Sequence, residues 1–235
     1  PATATRTTPS APAAIATLAG VTLARLRRGK ALWIGALLAA LPIPVAVILA
    51  IRNVPSNHGT AFFLIWQLLV ALLSAMFVAS SFGEEVETRT ATYLWSRPIA
   101  RWAVLAGKLV ALTPIVIAMI VISWYASLRI WTGDGPEPSS CVALALAAVA
   151  ACTTAAGIAT LVPKYGMALT IGYLLVDNFF GALPFSLREI TIAHQTSALA
   201  GLADDAAIAT PVIALIAIAA VWGAIAALRI RRLEV

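Results

Sequence analysis

The sequence predicts an all-α, polytopic membrane protein of about six transmembrane helices, with both termini cytoplasmic. Three observations carry that prediction. Hydrophobic residues make up 61% of the 235 positions and charged residues only 11%, against about 25% charged in an ordinary soluble domain. The apolar residues fall in runs near the ~20 residues a helix needs to cross a hydrocarbon core of about 30 Å. Lysine and arginine concentrate on alternate connections between those runs, the bias that sets membrane topology. No run alternates polar and apolar residues as a barrel strand would. Backbone in lipid must satisfy its own hydrogen bonds, so the spans are read as helices.

Residues 1–30 are read as a cytoplasmic tail followed by an amphipathic interfacial helix. The stretch 1–12 is rich in Thr, Ala and Pro. It lacks the basic-then-apolar order of a secretory signal and is expected to be a short disordered tail. Ser10 is placed to cap a helix that has Pro12 in its first turn. Ile15, Leu18, Thr22 or Leu23, and Leu26 then recur at helical spacing, with basic residues toward the end. That pattern suits a helix lying in the membrane interface.

Residues 31–235 are read as the transmembrane domain, with six spans at 31–51, 61–82, 104–128, 141–162, 166–180 and 208–228. Pro42 and Pro44 are expected to bend the first. The connections 52–60 and 131–140 are short and contain Gly and Pro. The stretch 181–205 is too polar to span and too apolar for a plain loop. It is expected to form one or two short helices dipping into the outer leaflet. Cys141 and Cys152, eleven positions apart on one helix, would lie about 16 Å apart along its axis, beyond disulfide reach.

With the N-terminus inside, thirteen Lys and Arg fall on cytoplasmic segments. Only Arg52, Arg129 and Arg188, three of the 16, fall outside. The net charge of +6 is thus topological, and no nucleic-acid partner is expected. Several enzyme chemistries lack their residues. Gly29-Lys30 and Gly107-Lys108 have neither the spacing nor the Ser/Thr of a nucleotide loop. His58 and His194 stand apart from any metal-ligand set, and no nucleophile elbow occurs. Catalytic residues, metal ligands and cofactors are accordingly expected to be none.

The segment between the second and third spans, 83–103, mixes charge and aromatic residues most densely. Glu84, Glu85 and Glu87 open it and favour a helix start. Pro98 breaks that helix and pushes Arg97 toward extended backbone. The chain then re-enters the membrane near Trp102, with Lys108 free to snorkel back to the interface. The order acidic-Glu, Arg89-Thr90, Leu94, Ser96-Arg97-Pro98-Ile99, Arg101 and finally Gly107-Lys108 closely resembles the signature of ABC-2 type transporter permease subunits. The match covers about 25 residues; Arg89 departs from it, standing where many members have Gly.

The resemblance implies six spans and a segment, 83–103, that couples to a separate ABC ATPase subunit. Glu84, Glu85 and Glu87 would form its acidic entry, and Thr90, Tyr93 and Leu94 would lie on its helix. Arg89 and Arg97 belong to the same set, and Pro98, Arg101, Gly107 and Lys108 would shape re-entry. The implied assembly is a homodimer, or a heterodimer with a related permease, in a bacterial cell (inner) membrane, above two copies of the ATPase. The turn 163–166 is either a second contact with that ATPase or a plain tight turn.

Polar groups inside spans are costly and usually functional. Gln67, Asp177 and Asn178 are therefore candidates to border a translocation path, the alternative being that Asp177 only ends its helix in the outer headgroup zone. The expected function is the membrane subunit of an ABC exporter. An ATP-independent secondary transporter and a non-transporting immunity or assembly protein stay open, since a fold does not fix a function.

Overall fold

The computed structural model describes residues 11–54, 59–82, 101–184, 186–202 and 208–232, and every regular element among the described residues is helical. In chain order these are α1 (Ala11–Arg28), α2 (Ala31–Ala40), α3 (Pro42–Ile51), α4 (Gly59–Ser74), α5 (Arg101–Thr132), α6 (Pro138–Leu161), α7 (Gly166–Ala182), α8 (Ile192–Leu199) and α9 (Ala209–Arg232). The expected cap at Ser10 lies outside the described residues.

Among the described residues, five helical stretches are long and apolar enough to cross a membrane: Ala31–Ile51, Phe63–Phe82, Trp102–Thr132, Pro138–Leu161 and Ala209–Ile230. The expected fifth span is α7, whose 17 residues reach only about 26 Å at ~1.5 Å per residue. That is short of a ~30 Å core, because the chain leaves the helix after Ala182 to form α8. The first span is interrupted as the prolines predict. Pro42 starts α3 with no N–H to offer Leu38 O, and Leu41 N turns back onto that carbonyl at 3.1 Å. Pro114, by contrast, sits inside α5 without ending it.

Successive long helices run antiparallel. Near one end, the Trp131 indole of α5 donates to Val54 O beyond α3 at 3.0 Å, and the Trp124 indole donates to Ser140 Oγ of α6 at 3.0 Å. Phe63 and Trp66 of α4 meet the same Trp124 edge-on, with centroids 5.3 and 4.9 Å away. Each such pair adds about 0.5–1.5 kcal/mol beyond simple burial. Near the other end, the Lys108 ammonium of α5 donates to Ser81 O past α4 at 2.7 Å.

The middle of the body is α6. Its Ala-rich surface is buried on nearly every side, as a helix without a polar face must be. Small side chains let neighbours come close: a Cβ at Gly157 would fall 2.5 Å from the Trp222 ring of α9. Around this centre the outward faces are apolar, with Trp33, Leu37, Ile51, Ile213, Val221 and Leu228 all exposed. A ring of exposed large hydrophobes on helices of spanning length is the surface of a multi-pass membrane protein.

The chain after α4 widens into a π-helical turn, Ala75–Ala79, before Phe82. The amphipathic α1 lies across the start of α5, where a Cβ at Gly107 would sit 2.9 Å from Leu18 Cβ and 3.2 Å from Ile15 O. Thr22 shares its half-buried side with Ile15, Leu18 and Leu26, while Leu23 is exposed. Between α7 and α9 the expected short helices are present, as a 3-10 turn, Ser186–Ile190, and α8. Cys141 and Cys152 are free thiols.

Candidate functional site

Polar chemistry collects at both ends of the body. At the end near Trp124, the helix α8 is held by side chains from other elements. Six of its eight residues are buried, so its unpaired N-terminal amides need internal acceptors. Thr191 is the N-cap, and its hydroxyl oxygen accepts from His194 N at 3.2 Å. Asp177 of α7 supplies the rest: Oδ1 accepts from Ile192 N at 3.1 Å and Oδ2 from Ala193 N at 3.0 Å. A carboxylate on a helix N-terminus is favoured by the amides and by the helix dipole together.

Gln67 of α4 reaches the same helix from another side. Its Nε2 donates to Ala193 O and to Ser197 Oγ, both at 2.8 Å. Close approach is possible because Gly181 has no side chain; a Cβ there would lie 2.9 Å from Ala193 Cβ and 3.1 Å from His194 N. Asn178 donates from Nδ2 to Leu174 O at 2.8 Å, and its buried Oδ1 has no partner among the described residues.

Gln67, Asp177 and Asn178 are thus brought together, around one residual cavity of about 20 Å³. That is room for a single water. Asp177 does not end its helix, since α7 continues to Ala182, and the residue is 8% exposed. The expectation that Asp177 only ends its helix is corrected accordingly: its carboxylate is buried against α8 and caps that helix. This arrangement can clamp a short helix; it presents no nucleophile paired with a base.

The partners of Asp177 and Gln67 on α8 were not anticipated from sequence. The order Thr191-Ile192-Ala193-His194 does carry an N-cap signal, but nothing local tells which distant carboxylate completes it. Burial pushes the His194 imidazole below its ordinary value, with help from the positive charge of Arg188 and partial opposition from Glu189.

The other end carries the basic residues. Glu84, Glu85, Glu87, Arg89, Thr90, Tyr93, Leu94, Arg97 and Pro98 lie outside the described residues, and Arg101 is the first residue of α5. The segment's two anchor points are described, and they meet. Lys108 Nζ touches Ser81 O and stands 4.3 Å above the Phe82 ring. The Lys108 side chain thus finds its partners within the protein. It is 5% exposed, because a carbonyl beyond the π-helical turn and an aromatic face meet its charge inside the protein.

Next to this link is a cavity of about 380 Å³ bordered by α1, the start of α2, the π-helical turn with Ser80 and Ser81 after it, and the start of α5. No protein-family model matches the chain, and no curated protein matches it.

Proposed function

We propose that this chain is the membrane subunit of an ATP-driven exporter of the ABC-2 type, forming a translocation path with a second permease subunit. In this reading six spans, α7 included, put both termini in the cytoplasm of a bacterial cell, and the ATPase is a separate chain that docks on segment 83–103. ATP hydrolysis there moves the segment, and the movement enters the body through α4 and α5.

The observation that supports this most is the junction beneath the segment. Its flanks are tied to each other by Lys108, Ser81 and Phe82, and α1 packs on Gly107 beside them. A push on residues 83–100 therefore reaches two spanning helices and the interfacial helix at once. The signature residues quoted above supply the identity of the motor. Gln67, Asp177 and Asn178 act on the path through α8, which they hold at the far end.

Affinity purification of the tagged chain from its native membrane tests the reading. The expected result is co-elution of a nucleotide-binding ABC subunit, lost when Glu84 and Glu85 are both replaced by Lys. Elution without an ATPase, together with solute transport in vesicles lacking ATP, would favour a secondary transporter instead.

A further inference from the structure

The cavity of about 380 Å³ beside Ser81 and Lys108 falls in the size range that holds small-molecule ligands. Most of its polar lining is already engaged. Thr22 donates to Leu18 O, Ser80 to Met76 O and Ser81 to Val78 O. Lys108 donates to Ser81 O, and Arg25 likewise has a partner within the protein. Lys30 is exposed at the break between α1 and α2. What is left to meet a guest is hydrocarbon: Leu18, Val21 and Leu26 of α1, Met76 and Phe77 of the π-helical turn, and Leu112 of α5. Apolar cavities of about 150 Å³ already stay dry and take up apolar guests.

The rim of the cavity borders the lipid-facing surface. Val21 lines it and is 62% exposed, and Ala31, on another wall, is followed by the exposed Trp33 and Ile34. In a membrane protein such a surface meets acyl chains, and an amphipathic helix like α1 lies at the boundary between headgroups and those chains. Along α1 the lining runs from Leu18 to Gly29, about 16 Å at ~1.5 Å per residue. One leaflet's acyl chain covers about half of a ~30 Å core, so the lengths agree. We propose that this cavity seats one acyl chain of a bilayer phospholipid, taken up for its hydrocarbon and not for its headgroup. The chain would pack between α1 and the helices α2 and α5, and so set how firmly the interfacial helix is held. The inference needs only the membrane body and stands or falls separately from the ATPase partner.

Photo-crosslinking of the full chain in nanodiscs tests it, with phosphatidylcholine that carries a diazirine in one acyl chain. Surrounding lipid labels exposed residues such as Trp33 and Ile213. The expected additional adducts fall on Phe77 and Leu112, each only 2% exposed and lining the cavity. Val21→Trp and Ala31→Phe, on two different walls, should each cut those inner adducts by about fivefold, the smallest effect of overpacking a filled site. The Ile213 adduct should stay unchanged. Phosphatidylglycerol with the same chain should label Phe77 and Leu112 equally well. Adducts confined to the exposed residues would overturn the proposal, as would inner adducts unmoved by both substitutions. A strong preference for phosphatidylglycerol would overturn it in favour of a headgroup site. Circular dichroism and elution volume of each variant separate loss of the site from loss of fold.

Discussion

Around α8, an aspartate, a glutamine and a threonine close on one short helix and leave about 20 Å³; between α1 and α5, an arginine and two lysines border about 380 Å³. The two ends of the body face the same problem, polar groups within a membrane protein, and dispose of it differently. At the α8 end the polar atoms, Asn178 Oδ1 apart, satisfy one another, and the backbone amides of the short helix are the main beneficiary. At the α1 end Lys108 is held by Ser81 O and the Phe82 ring, and the cations there border a far larger space. A closed polar set confers rigidity. An open one leaves room, and residues 83–100 leave the body beside it.

The sharpest way to break this comparison is at Asp177. Asp177→Ala orphans two buried amides, at a cost of about 2–4 kcal/mol, and should lower the apparent Tm in detergent by several degrees. Asp177→Asn keeps one acceptor and should lose about half as much. An Asp177→Ala protein as stable as the parent would mean that α8 is held by packing alone. At the opposite end, Gly107→Val drives a side chain into Leu18 and the Ile15 carbonyl. Overpacking of this kind costs about 1–3 kcal/mol. Hydrogen exchange should show residues 12–28 losing protection while 192–199 keep theirs; loss at both ends would show that the two regions are not independent.

A finer cut is Gln67→Leu. Ala193 O keeps a donor, since Ser197 Oγ also bonds it at 3.1 Å. The expected loss is therefore only about 1 kcal/mol, read by thermal unfolding. Asp177 should matter more than Gln67, and the reverse order would place the clamp on α4. The smallest effect concerns His194. Its folded-state value is depressed, so the unfolded chain takes up the proton more readily. Stability is then full above the ordinary histidine range near ~6.5 and declines as the pH falls through it. The apparent Tm should drop by about 1–2 °C on acidification, and His194→Gln should abolish the dependence.

Which parts of this were legible in the sequence follows from range. Spans and the break at Pro42 are local: runs of apolar residues and a missing N–H. The cluster of Gln67, Asp177 and Asn178 could be guessed from cost, because lone polar residues in apolar runs need partners. Their partner could not be, since α8 lies 126 positions from Gln67 along the chain. Lys108 shows the same limit in reverse. Read locally, a lysine a turn or two inside a span needs somewhere to take its charge; only the placement of Ser81 and Phe82, 27 and 26 positions earlier, shows which groups meet it. The centrality of α6 was hidden too, because an Ala-rich helix has no polar face to point away from the core.

The account depends most on which side of the membrane the basic end occupies. In a background with Cys141→Ser and Cys152→Ala, single cysteines at Thr88→Cys, Lys30→Cys and Leu187→Cys can be exposed to a membrane-impermeant maleimide in intact cells. The account predicts labelling of Leu187→Cys alone, with Thr88→Cys and Lys30→Cys reacting only after the cells are opened. Labelling of Thr88→Cys and Lys30→Cys from outside, with Leu187→Cys protected, would contradict it.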